Sequence, residues 1–271
     1  MGLSNTQFYR ILGQQKIIIK GENTDLSTAD YFSKKKILFC FSYAGGSAAV
    51  YNKFNQYLDK NIKMIPIEYA GRGKRINEEF YSNISCAIDD IYKEVIQYIY
   101  EYEFAFFGHS MGTVIAYEVS KRVKEKCGRE PVHIFVSGRY PPHINKIENH
   151  LHILPDDKFK DEILKVGGTQ NEVFENKELA QLFIPILRAD YRLIELYKCN
   201  DDITKFNAGI TVFSGKDDKI VGENEMFEWQ KYSDYLIDVH EFDGGHFFIN
   251  NYTKEIVEII NSTLYSNIVP I

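Results

Sequence analysis

Residues 104–120 read FAFFGHSMGTVIAYEVS, and the folding of this stretch decides the reading of the whole chain. Phe104 to Phe107 is a short apolar run, long enough for a strand buried on both faces and too short for a helix. Thr113 to Lys126 then reads as a helix. Between them Ser110 stands between Gly108 and Gly112. A chain that leaves a strand and enters a helix within a few residues must reverse sharply. Side chains flanking the apex would collide, and glycine at 108 and 112 removes them. A G-x-S-x-G run between a strand and a helix is the pattern of a nucleophile elbow. It projects the serine oxygen over the sheet edge, at the positive end of the next helix.

The same alternation extends in both directions. Ile37 to Phe41 is a continuous apolar run ending in the loop Ser42-Tyr43-Ala44-Gly45-Gly46, and residues 47–60 read as helix. IKMIPIEYAGRG, residues 62–73, gives a second buried strand closing on a glycine turn. Apolar positions at Ile84, Ala87, Ile88, Ile91, Val95 and Ile99 step by threes and fours, which marks an amphipathic helix. VHIFVSG, residues 132–138, is a fourth strand. After an interruption the pattern resumes with GITVFSG at 209–215, a helix around Met226 to Tyr232, a strand over Tyr235 to Phe242 and a last helix from Thr253 to Leu264. Buried strands alternating with helices define an α/β protein: a mostly parallel sheet with helices on both faces.

The interruption spans about 142–205. PDDKFKDEILKVGG and NKELAQLFIPILRADYRLIELYKC are helical patterns with no strand between them. Asp156 or Asp157 and Asn176 are the expected N-caps, and Gly167-Gly168 ends the first helix. A helical insertion after a strand of such a sheet is expected to be a lid over Ser110. Phe183, Ile186, Leu187 and Leu193 would then partly line an acyl channel. Residues 1–35 are mixed and polar, and are expected to form an N-terminal arm preceding a domain over 36–271.

A serine hydroxyl needs a base. Of seven histidines, His246 is the best placed. It lies in EFDGGHFFIN, on a Gly-Gly turn just after a strand, where an open α/β sheet keeps its chemistry. His109, inside the elbow, is expected to point away from the serine. An acid must orient the base, and Asp217 and Asp218 both follow the strand that ends at Gly215. Serine, acid, histidine is the chain order of the α/β-hydrolases. An oxyanion hole is also required, and it is expected to use the amide of Met111 and one amide of the loop after the first core strand. Ala44 is the first choice there, Tyr43 the second.

Composition bounds the class. The 271 residues suit one sizeable domain, and a net charge of -6 gives no electrostatic footprint for nucleic acid. No apolar run reaches the ~20 residues of a membrane span, and the first residues lack the charged start, apolar core and small-residue site of a secretory signal, so none is expected. Cys40, Cys86, Cys127 and Cys199 lack paired spacing, which fits reduced thiols in the cytoplasm. Met1-Gly2-Leu3-Ser4-Asn5-Thr6 matches the loose myristoylation pattern, a weak signal on its own. His150-x-His152 beside Asp156 and Asp157 matches no standard metal site. It reads as a solvated lid entrance, so neither a metal nor a cofactor is expected.

With these residues in view, the chain resembles the type II thioesterases of nonribosomal peptide and polyketide synthetases. The likeness runs from about Lys36 to Leu264. LFCFSYAGGSAAVY is similar to the family's FPYAGG segment, IEYAGRGKR to its PGRG segment, and FFGHSMG to its elbow. VSGRYPPH, LPDDKF, VGGTQNEVFENKEL and PILRADYRLIELY resemble the segments through the lid, and SGKDD and FDGGHFFI the acid and histidine regions. Two prolines are replaced, by Ser42 and Ala70, which frees local backbone without removing a reacting group. The resemblance implies the α/β-hydrolase fold and hydrolysis of acyl groups from the phosphopantetheine arm of carrier proteins, by a cytoplasmic monomer without metal or cofactor. The turn G-x-x-D-x-x-V common in that superfamily places the acid at Asp218, with Asp217 left to solvent. Three other readings compete: a general lipase or esterase, a product-releasing macrocyclase, and a non-catalytic module that binds carrier proteins.

Overall fold

The computed structural model describes residues 9–12, 15–18, 36–146, 150–169, 171–199 and 203–265. They fall into two units, 1–34 and 35–271, each taken by itself. In the first, β1 (Tyr9–Leu12) pairs antiparallel with β2 (Gln15–Ile18) as a separate two-stranded sheet. The myristoylation pattern lies outside the described residues.

The second unit is built on one six-stranded sheet. Its strands are β3 (Lys36–Phe41), β4 (Ile62–Pro66), β5 (Glu103–His109), β6 (His133–Ser137), β7 (Gly209–Gly215) and β8 (Asp238–Phe242). They lie in the order β4-β3-β5-β6-β7-β8, and every neighbouring pair is parallel. Parallel strands need crossovers, and helices supply them on both faces. Ile37, Phe39, Phe41, Phe104, Phe106, Val136 and Val212 face one way, into a core shared with α1 (Ile84–Ile99) and α2 (Met111–Cys127). Leu38, Cys40, Ala105, Phe107, Phe135 and Phe213 face the other way. They pack against α6 (Thr253–Tyr265) and a 3-10 helix, Ala48–Gln56. Strict alternation along β3 and β5 therefore fills two cores, which is why these strands read as unbroken apolar runs.

The elements follow local chemistry. Asn83 caps α1 by accepting from the Cys86 amide at 3.0 Å, and α1 buries Ala87, Ile88, Ile91, Val95 and Ile99. Between β6 and β7 come α3 (Asp156–Val166), α4 (Asn171–Glu175) and α5 (Lys177–Glu195). Phe159, Ile163 and Leu187 form their own small core. Asn176 caps α5, accepting from the Glu178 and Leu179 amides.

Four local expectations change. Residues 48–56 form a 3-10 helix, whose repeat of three suits the buried pair Tyr51 and Phe54. Strand β4 is half-buried, because it pairs only with β3 and forms the sheet edge. Pro155 occupies the N-cap position of α3 without a side-chain bond, and Asp156 and Asp157 sit in its first turn, where the helix dipole favours carboxylates. Strand β8 begins at Asp238, since the Tyr235 and Ile237 amides donate to Ser233 Oγ and Gln230 Oε1 instead of to β7.

Candidate active site

Ser110 lies at the turn between β5 and α2 with φ 54° and ψ -114°. Among the described residues it is the one non-glycine at positive φ. The surroundings enforce the bend. A Cβ on Gly108 would strike the Gly112 carbonyl, and a Cβ on Gly112 would strike the Phe41 carbonyl. The Ser110 amide donates to Ser137 O at 2.8 Å, and Thr113 Oγ1 ties Gly108 O to Ser137 O at 2.8 and 3.0 Å. The reversal thus locks onto the end of β6.

The strand ends bring three residues together. His246 follows β8, Asp218 follows β7 and Ser110 follows β5. His246 Nε2 lies 2.9 Å from Ser110 Oγ, and His246 Nδ1 lies 2.8 Å from Asp218 Oδ2. The other oxygen, Asp218 Oδ1, accepts from the Ile220 amide at 2.9 Å. The Asp218 side chain is fully buried and that of His246 is 4% exposed. An ionised carboxylate only accepts, so Nδ1 carries the hydrogen and the Nε2 lone pair faces the serine hydroxyl. Asp217, one residue earlier, is exposed.

The His109 ring packs 5.1 Å from that of His246, its Nδ1 lies 2.8 Å from Ser137 Oγ, and the ring makes no hydrogen bond to Ser110. Burial, and next the neighbouring His246, hold its pKa well below the ordinary imidazole value. A neutral ring beneath His246 adds no charge to oppose a proton arriving there.

Met111 is buried at the first position of α2, where a helix leaves its amides without intrahelical partners. Ala44 lies in the loop after β3. In that loop the Gly45 amide already donates to Asp190 Oδ2 at 2.7 Å. Asp190 also receives both guanidinium nitrogens of Arg72, at 2.5 and 2.6 Å, and Arg72 Nη1 donates to Gly46 O at 3.0 Å. Both members of this ion pair are almost fully buried. Sequence reasoning missed them. The available signal was a carboxylate in register with Leu187 and Ile194 on the buried face of α5.

The helices after β6 touch two loops of the site. Leu187 lies against Gly45, and the Phe247 ring lies against Gly168. Ile186 and Leu193 are also buried, and Phe183 is half-buried. The His150-x-His152 pair meets Glu195 rather than Asp156, which pairs with Arg188 at 2.5 Å. Glu195 accepts from the Leu151 and His152 amides at 2.7 and 3.2 Å and from the His152 ring. Its oxygens are thereby spent on holding the turn.

A six-stranded parallel sheet, a strained serine elbow and a hydrogen-bonded serine, histidine and aspartate at the strand ends define an α/β-hydrolase. Residues 36–264 match the thioesterase domain family, and the chain belongs to that family. It is 33% identical over 236 residues to a protein of Brevibacillus parabrevis named linear gramicidin dehydrogenase LgrE, covering 86% of this chain and 89% of that one. The crystal structure of ClbQ, from the colibactin nonribosomal peptide and polyketide pathway, superposes with a TM-score of 0.82. It is 35% identical, covering 86% of this chain and 98% of that one. BorB, a type II thioesterase from the borrelidin cluster, superposes with a TM-score of 0.73 at 27% identity, over 84% and 91% of the two chains. Among the described residues no helix is long and apolar enough to cross a membrane.

Proposed function

We propose that this protein is a serine thioesterase that clears acyl groups from the phosphopantetheine arms of carrier proteins in a nonribosomal peptide or polyketide pathway. The observation that carries the reading is the continuous chain from Ser110 Oγ through His246 to Asp218, within a thioesterase-family domain. Ser110 Oγ attacks the thioester carbonyl as His246 Nε2 takes its proton. The C–S bond breaks, and the departing sulfur receives that proton. Water then gives its proton to His246 and adds to the acyl-serine. Release of the free acid returns the proton to Ser110. Asp218 holds the ring and stabilises the imidazolium. The amides of Met111 and Ala44 serve the oxyanion, since the Gly45 amide is engaged by Asp190.

The segment 142–205 acts as a lid in this reading. Support comes from its contacts with both site loops, through Leu187 to Gly45 and Gly168 to Phe247. Residues 36–271 are the working domain and 1–35 an arm, and the enzyme acts as a cytoplasmic monomer. A hydride-transfer reading is favoured only by the name of one relative. The chain contains no G-x-G-x-x-G run.

The test is hydrolysis of a panel of acyl groups on a carrier protein, beside the same groups on coenzyme A, with fluorophosphonate labelling of Ser110. Labelling together with a preference for the carrier-bound forms is expected. An inert Ser110 that still binds carrier protein supports the non-catalytic module. Equal rates on free esters support a general esterase. Thioester-dependent NADPH consumption supports hydride transfer.

A further inference from the structure

A cavity of about 320 Å³ is lined by Val114, Arg139, Tyr140, His143, Ile194 and Lys198 among others. Arg139 follows β6 after Gly138, and a Cβ on Gly138 would lie 3.3 Å from His246 Cε1. Val114 on its wall lies one turn of α2 beyond Met111, and Arg139 directly follows the residue packed against His246.

Arg139 is anomalous. Its Nε is buried and has no hydrogen-bond partner. Its guanidinium lies 4.3 Å from the Tyr140 ring centroid, and among the described residues it forms no ion pair. Burial pulls its pKa down, against smaller upward effects from Tyr140, Tyr191, Tyr197 and Asp218. Lys198, on the same cavity wall, also has no carboxylate partner among the described residues. The nearby acids are committed elsewhere: Glu118 to Tyr197 and Lys121, Glu225 to Lys146, Glu228 to Lys231 and His143. Arg139 is half-buried with its Nε shut away from water, and Lys198 is exposed at the rim. Among the described residues no carboxylate forms an ion pair with either, so an anion entering the cavity would meet two cations without a partner carboxylate.

We propose that this cavity receives an anionic oxygen group of the substrate, a carboxylate or phosphate, held by Arg139 with Lys198 at the rim. Guanidinium is the side chain suited to such planar, two-pronged recognition. The volume is at the small end of ligand sites, so a short acid fits and a long acyl chain does not. The inference rests on the thioesterase reading and names a chemical class for its substrate. The group comes either from the acyl moiety, as a second carboxylate, or from the phosphate of the pantetheine arm.

The experiment compares wild type with Arg139→Met on propionyl and succinyl thioesters, each on holo carrier protein and on N-acetylcysteamine. If the acyl carboxylate is the ligand, kcat/KM falls roughly 10- to 100-fold for both succinyl substrates and stays level for both propionyl ones. If the phosphate is the ligand, the loss follows the two carrier-bound substrates whatever the acyl group. Either pattern supports the site. Loss on all four substrates, or on none, overturns it. Thermal melting gives a readout independent of turnover. Succinate or inorganic phosphate should raise the Tm of wild type and not of Arg139→Met, and the ligand-free variant should melt at or above wild type. A large fall in that Tm would make Arg139 structural and end the proposal. If wild type hydrolyses none of the substrates while the shift persists, the thioesterase reading fails and the anion site stands.

Discussion

Asp190 accepts a hydrogen bond from the Gly45 amide at 2.7 Å, across 145 residues of chain. One end of the contact is on a helix inserted after β6, and the other is on the loop proposed to hold the oxyanion. Arg72 closes the arrangement from a third segment. A carboxylate so placed spends its charge on fixing backbone.

Removing one member of this pair should expose the difference between holding the fold and holding the loop. Asp190→Leu alone should cost about 3–5 kcal/mol, because Arg72 is left buried and unpaired. The double variant Arg72→Met/Asp190→Leu should regain most of that stability. Its kcat should stay at least tenfold low with KM little changed, since Gly45 still lacks its acceptor. Recovery of kcat along with Tm would show that the pair only holds the fold.

Ser110→Ala should lower hydrolysis by about three orders of magnitude or more, with the fold unchanged by circular dichroism. Turnover within about tenfold of wild type in a clean preparation rules out Ser110 as nucleophile.

Asp218→Asn and Asp217→Asn separate two adjacent carboxylates. The first should cut kcat by about three to four orders of magnitude, because an amide cannot stabilise the imidazolium or fix its tautomer. The second should change kcat by less than about threefold, as expected of an exposed side chain. Both are read on one acyl-carrier substrate, and the reverse ranking would move the acid to Asp217.

Acid should destabilise the protein through two imidazoles, half-buried His133 and buried His109. Burial lowers the pKa of His133 from 6.5 to about 4. Below pH 6.5 the unfolded chain takes up this proton while the native state does not. Stability therefore falls as pH drops from about 6.5 to about 4, and His109 acts in the same sense. His133→Gln, read by thermal melting at pH 7 and 4.5, should show a smaller acid loss than wild type. Equal losses would clear His133 of the effect.

The sequence made some of this legible because particular residues carried local signals. Ser110, His246 and the Asp217-Asp218 pair each follow an apolar run and sit beside turn glycines, so period and punctuation place them at strand ends. Choosing between the two aspartates needed the superfamily's turn pattern. Arg72 and Asp190 were hidden because their partnership spans 118 residues and leaves no spacing rule. The early start expected for β8 failed for a related reason. Side chains of Ser233 and Gln230 captured amides that the apolar pattern had assigned to the sheet.

The backbone of Ser110 carries one more consequence, which concerns selection. A non-glycine at φ 54° costs of order 1–3 kcal/mol. Glycine at 110 would relieve that cost, offset by about 0.5–1 kcal/mol of extra chain entropy. Ser110→Gly should thus melt above Ser110→Ala, since alanine keeps the strain and glycine sheds it. Selection for thermal resistance alone would push this position toward glycine, at the expense of the nucleophile proposed there. A library screened only for folding should accumulate that substitution, and one screened for hydrolysis should exclude it if Ser110 is the nucleophile.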